Sequence, residues 1–148
     1  MTDSSKSPAA IGYDDAMAAI AAGVAKARER AVALSFAVLD GAGHLVASAR
    51  MDGAPFITVE VARGKAFACA ATGGVPGAAL AQRYRDNPMV WGNVSSLGFG
   101  APLLPAQGSL PIRRNGVLIG TMGASGAPSE VDEAVIAAAI AAIGGDAA

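Results

Sequence analysis

Arg50, Asp52 and Lys65 lie in the stretch "GHLVASARMDGAPFITVEVARGKAFACAAT", residues 43–72, where most other side chains are small or apolar. An amine on a mainly apolar helix costs free energy unless it is paired or reaches water. Desolvated, it falls in pKa and becomes a usable base or Schiff-base amine. Paired with Asp52, it is a fixed cation that orients a ligand, and this is the preferred reading. The plainer alternative pairs Arg50 with Asp52, or has them cap the helix that begins near Phe56. The functional reading places Arg50, Asp52 and Lys65 around one pocket, beside Ser125 and Gly126. Backbone N–H groups ahead of a helix start can hold an anion there. Trp91 and Phe99 then supply an apolar lid, or simply anchor their own loop.

His44 is the only histidine and so the only imidazole that could ligate a metal-bearing group. It follows a tight turn, where an exposed polar residue is the bland reading. Met51, Met89, Met122, Tyr13, Tyr84 and Cys69 are weaker ligand candidates. One histidine and one cysteine cannot supply a standard zinc set, so no metal site is expected. Ser125 sits in "GASGA", which lacks the spacing of a nucleophile elbow. "GTMGASG" lacks the lysine of a phosphate-binding loop.

These residues must be positioned by the elements around them. "DDAMAAIAAGVAKARERA" has helical apolar spacing, with acids first and bases last. "ALSFAVLD" and "LVASAR" flank the glycine-containing turn "DGAGH", so residues 33–50 predict a β-hairpin. A helix follows from about Phe56 to Thr72, and "AALAQRYRDN" predicts a short helix ending before Pro88. Residues 88–109 carry enough proline and glycine to predict a long folded loop, a frequent place for function. Asn115-Gly116 is the preferred pair for a type I′ turn between "LPIRR" and "VLIGTMG". "SEVDEAVIAAAIAAIGG" predicts a final helix, with Ser129 and Asp132 at capping-box spacing. The elements predict an α+β class: a central antiparallel sheet of two hairpins with helices on its faces.

The chain has 148 residues and a net charge of −1, which suits one domain, residues 12–148, behind a disordered leader, residues 1–11. The leader lacks the basic and apolar regions of a signal peptide. Without clustered Lys and Arg, nucleic acid is not an expected partner. Without a long enough apolar run, neither is a membrane. One cysteine fits a reducing cytosol, so a cytoplasmic location is expected. Charged residues are 16%, against roughly 25% in ordinary domains. The helices at 56–72 and 129–143 are apolar nearly all round. A monomer's surface helix needs a polar face, so another subunit is expected to cover their outer sides.

The hairpin residues Asp40, Gly43 and Leu45, the run Arg50 to Ala54, and Lys65-Ala66 resemble the GlcG/HbpS family, which includes the C-terminal domain of PduO-type proteins. Pro111, Gly116, Gly120, Gly123, Ser125, Gly126, Asp132 and Glu133 extend the resemblance over most of residues 12–143. "GSLPI" departs from it, since the family usually has a glycine pair before "PI". The loop around "NPMVWGNVSSLGFGAPLLPAQ" is particular to this chain. The resemblance implies a profilin-like or PAS-like sandwich that assembles into dimers or larger rings, commonly octamers. Some members bind haem, and a few are linked to haem breakdown, iron or corrinoid metabolism. The expected function is therefore an oligomeric cytosolic small-molecule binder, with haem as a candidate cofactor. The alternative is a small catabolic enzyme acting on an organic acid or aromatic-derived ligand through Lys65, Asp52 and Arg50. A third reading is a purely structural subunit.

Overall fold

Residues 10–148 are described by a computed structural model. Helix α1 (Tyr13–Glu29) leads into the hairpin β1 (Ser35–Asp40) and β2 (Leu45–Arg50). Helices α2 (Ile57–Ala71), α3 (Gly77–Asp86) and α4 (Pro88–Ser95) follow. The second hairpin, β3 (Ser109–Arg114) and β4 (Val117–Ser125), precedes α5 (Ser129–Ala142). The strands form one antiparallel sheet in the order β2-β1-β4-β3, so the two hairpins meet through β1 and β4.

Strand β1 is central and covered on both faces, which is why "FAVL" is apolar without alternation. Phe36 and Val38, with Met122 and Ala124 of β4, face α1 and α5 and join Ile136 and Ile140 in the main core. The opposite face carries α2. Gly123 lets that helix approach, because a Cβ there would collide with the backbone of Ala62 and Ala66. Thr121 Oγ1 also donates to Ala66 O at 2.9 Å. Helix α2 is thus held against backbone and small side chains, which explains its alanine-rich inner face.

The second hairpin turns as expected. Asn115 and Gly116 have φ of 53° and 77°, the left-handed pair of a type I′ turn. In the first hairpin, Asp40 Oδ1 accepts the N–H groups of Ala42 and His44, each at 3.0 Å, which fixes the turn before β2.

Four expectations change. Residues 88–95 are helical, not loop, because Pro88 stands in the first turn of α4, where a missing N–H does no harm. Only 96–108 is irregular, and it crosses α2: Leu104 N–H donates to Gly64 O at 3.0 Å. Part of α2's outer face is therefore covered by the same chain rather than by another subunit. Ser129 is the first residue of α5 and makes no side-chain cap, so the expected capping box is absent. Residues 1–9 of the expected leader lie outside the described residues. Its last residue, Ile11, is buried in the core and donates its N–H to Ile119 O at 2.8 Å.

Candidate functional site

Lys65 points from α2 toward the end of β4 and is only 5% exposed. Its Nζ donates to Ala124 O at 3.1 Å and to Asp132 Oδ2 at 3.2 Å. Asp132, on the inward side of α5, is 1% exposed, and its Oδ1 accepts the Ala127 N–H at 3.1 Å. Gly108, with φ of 117°, passes over the pair; a Cβ there would lie 2.7 Å from Nζ. Burial pushes the Asp132 carboxyl above its ordinary range, while the charge and hydrogen bond of Lys65 pull it partly back. The lysine therefore pairs with Asp132 and not with Asp52. The wheel position of Lys65 turns it inward, whereas Asp52 precedes the helix on the outside.

Ser125 and Gly126 are close to this ion pair in sequence but form no open cradle. Ser125 is buried and stands opposite Ser35 in the β1–β4 register. Gly126 has φ of 133°, and a Cβ there would collide with Ala33 O. The glycine thus serves the turn out of β4. Ser109, at the second position of "GSLPI", has a buried Oγ with no hydrogen-bond partner among the described residues.

Arg50 and Asp52 do share a cleft, but without Lys65. It has a volume of about 460 Å³ and is also lined by Val24, Arg28, Ala49 and Met51. Arg50 and Asp52 make no ion pair with each other. Met51 Sδ accepts the Leu34 N–H at 3.4 Å, which pins the end of β2.

His44 and Phe99 line a different cleft, of about 370 Å³, with Arg63 and Phe67. The His44 side chain is 80% exposed, and its Nδ1 is 3.4 Å from Asp40 Oδ2. The Phe67 and Phe99 rings stand 6.1 Å apart at 43°. The β1–β2 turn leans on this wall, since a Cβ at Gly43 would lie 3.3 Å from the Phe67 ring. Trp91 is half-buried against Ala68, Leu80 and Leu103. It anchors α4 instead of closing a lid.

The weaker ligand candidates are not among the residues that line the His44 cleft. Met122 is buried in the core, Tyr13 and Met89 are exposed, and Tyr84 lines a separate cleft with Arg85 and Gln107. Met51 lines the arginine cleft. Burial pushes the Cys69 thiol up to about 12, with the Arg113 charge opposing it, so the sulfur is a poor ligand and nucleophile. No group of three or more His, Cys, Asp and Glu among the described residues could hold a metal ion. No helix there is long and apolar enough to cross a membrane.

Asp132, Arg28, Arg63 and Phe67 were not singled out for these positions by sequence. Asp132 carried a signal: an acid on a helix otherwise as apolar as the one bearing Lys65. The others read only as a helix-end charge and as ordinary members of α2.

Residues 11–141 match the family HbpS-like, described as "Haem degrading protein HbpS-like", and the chain belongs to it. Among solved structures, the chain is similar to the PduOC:heme complex, with 26% identity and a TM-score of 0.82 over 93% of this chain and 98% of that one. HbpS has 26% identity and a TM-score of 0.79 over 95% and 96% of the two chains. Protein ORFY of Klebsiella pneumoniae, at 23% identity and a TM-score of 0.81 over 97% of each chain, shares the fold. No curated protein matches the chain.

Proposed function

Taking membership of the HbpS-like family as the premise, we propose that this protein is a self-associating cytoplasmic binder of a small organic ligand, with haem as that ligand. One observation carries the reading: the only histidine stands on the rim of an aromatic cleft with a guanidinium beside it. Asp40 Oδ2 lies 3.4 Å from Nδ1, so Nε2 is the ring nitrogen left open toward an iron. Phe67 and Phe99 offer apolar faces to a flat macrocycle, and Arg63 offers a partner for its carboxylates. A volume of about 370 Å³ holds part of such a molecule and leaves the rest to solvent or a second subunit. The donor set fits haem held by one imidazole. Bound there, the group would supply a redox-active iron, and the chain's own residues would bind and orient it.

Self-association is supported by apolar side chains that the single chain leaves in water. Phe56 at the start of α2 is 81% exposed and Met89 on α4 is 78% exposed. A cytoplasmic setting is supported by a single, buried cysteine. Residues 12–148 act as one domain in this reading. The enzymatic alternative loses its arrangement, because Lys65 is closed off with Asp132 away from Arg50 and Asp52.

Haemin titration of purified protein tests the function, with a saturable Soret shift expected. No saturable shift in the wild type would sink haem as the ligand. His44→Ala tests the site: it is expected to abolish the shift or move its maximum. An unaltered spectrum and affinity in that variant would place the ligand elsewhere on the chain.

A further inference from the structure

The cleft that carries His44 offers an iron one axial ligand. Besides His44, Arg63, Phe67 and Phe99, its lining is Leu45 and small residues. No methionine, tyrosine, cysteine, lysine or second histidine is among them. The opposite face of an iron held by His44 therefore finds no protein ligand in the same cleft.

The backbone under His44 is fixed. Asp40 Oδ1 accepts the N–H groups of Ala42 and His44 at 3.0 Å each, and Asp40 N–H donates to His44 O at 2.9 Å. Gly43, with φ of 91°, donates its N–H to Asp40 O at 3.0 Å. The turn thus presents the imidazole outward, 80% exposed, at little ordering cost to a ligand. The rim beside it is apolar and open to water. Leu45 is 43% exposed, Phe99 51%, and Leu97, two residues before Phe99, 67%. Apolar side chains gathered in water around one polar anchor mark a surface that another molecule covers.

Charge and symmetry point to what covers it. Haem carries two propionate carboxylates on one edge. A half-turn about an axis in the ring plane exchanges the two propionates and also the two faces. The cleft offers one guanidinium, Arg63, which makes no ion pair among the described residues. A second copy placed by that half-turn brings a second imidazole to the open face and a second guanidinium to the other propionate. Closed pairs of identical chains use two-fold axes of this kind.

We infer that haem is held between two copies of this chain, with His44 of each copy on one face of the iron and Arg63 of each copy on one propionate. This rests on His44 binding haem, as proposed above. Leu45 and Phe99 of both copies close over the ring, so the apolar rim leaves water in the pair. The two-fold relation fixes one ligand to two chains.

Haemin titration of the whole chain, read for stoichiometry and spin state, tests this. The Soret shift is expected to saturate at about half an equivalent per chain, with the low-spin spectrum of two nitrogen ligands. Added imidazole should leave that spectrum unchanged, since both axial positions are filled. Leu45→Glu places a charge on the rim, where two copies would set two carboxylates against each other. That variant should take up haemin high-spin at about one equivalent per chain, and turn low-spin when imidazole is added. Phe99→Glu, outside the sheet, should behave alike, so a folding defect in one variant leaves the other to decide. Three wild-type results would each overturn the inference while leaving His44 as a ligand: saturation at one equivalent per chain, a high-spin spectrum, or a spectrum altered by imidazole. Half-equivalent, low-spin binding in both rim variants would overturn it too. Absence of any saturable shift, or an unaltered spectrum in His44→Ala, sinks the haem site itself.

Discussion

At the scale of single residues, the most consequential contact is the buried pair of Lys65 and Asp132, which ties α2 to α5 beneath the end of β4. Removing one partner leaves a charged group without compensation in a dry place. Lys65→Met is therefore expected to lower the unfolding free energy by about 3–5 kcal/mol, read from urea melts. Adding Asp132→Leu should recover much of that loss, because two apolar side chains replace the pair. A silent Lys65→Met would show that the amine escapes to water. The same carboxyl predicts a pH dependence. Its folded pKa lies above the unfolded one, so the folded state binds the proton more readily. That contribution to stability is full below the unfolded value and is lost as pH rises through the folded value. The advantage of wild type over Asp132→Asn should thus be larger near about pH 4 than near about pH 7. An advantage that grows with pH would mean that attraction to Lys65 outweighs desolvation.

At the scale of elements, the Asn115-Gly116 turn sets the register of β3 on β4. Gly116→Val places a β-branched residue at φ of 77° and should destabilise the protein by roughly 1 kcal/mol or more in thermal melts. An unchanged melting temperature would contradict the type I′ assignment. This turn shows why most of the fold was legible: its chemistry is local and depends on two adjacent residues. The hairpins, α1, α2, α3 and α5 follow from similarly local signals of period, turn and charge. Helix α4 was not legible, because proline and glycine within residues 88–95 read as punctuation although Pro88 starts a helix. The site was only half legible. Charge on apolar helices marked Lys65, but its partner depended on how α5 docks, and no local spacing encodes that. Arg50 and Asp52 do share a concavity, yet α1 supplies its second arginine from a segment more than twenty residues earlier.

At the scale of the molecule, exposed Phe56, Ile57, Met89 and Leu97 predict association. Light scattering at micromolar concentration should give a mass of at least two chains, where one chain is 14.5 kDa. A mass of one chain would remove the self-association. The sheet itself limits the form this can take. Arg113 and Asp146 exchange both backbone hydrogen bonds, at 2.7 and 2.8 Å, so the C-terminal segment caps the outer side of β3 at Arg113. Strand β2 is left as the sheet edge without such a cover among the described residues. A strip with one sticky margin can join a second strip only back to back, and the joining then stops. With two such margins it could grow like a ribbon. The last few residues of the chain thus act as a selvedge, and trimming them after Gly144 should turn a finite particle into one whose size climbs with concentration.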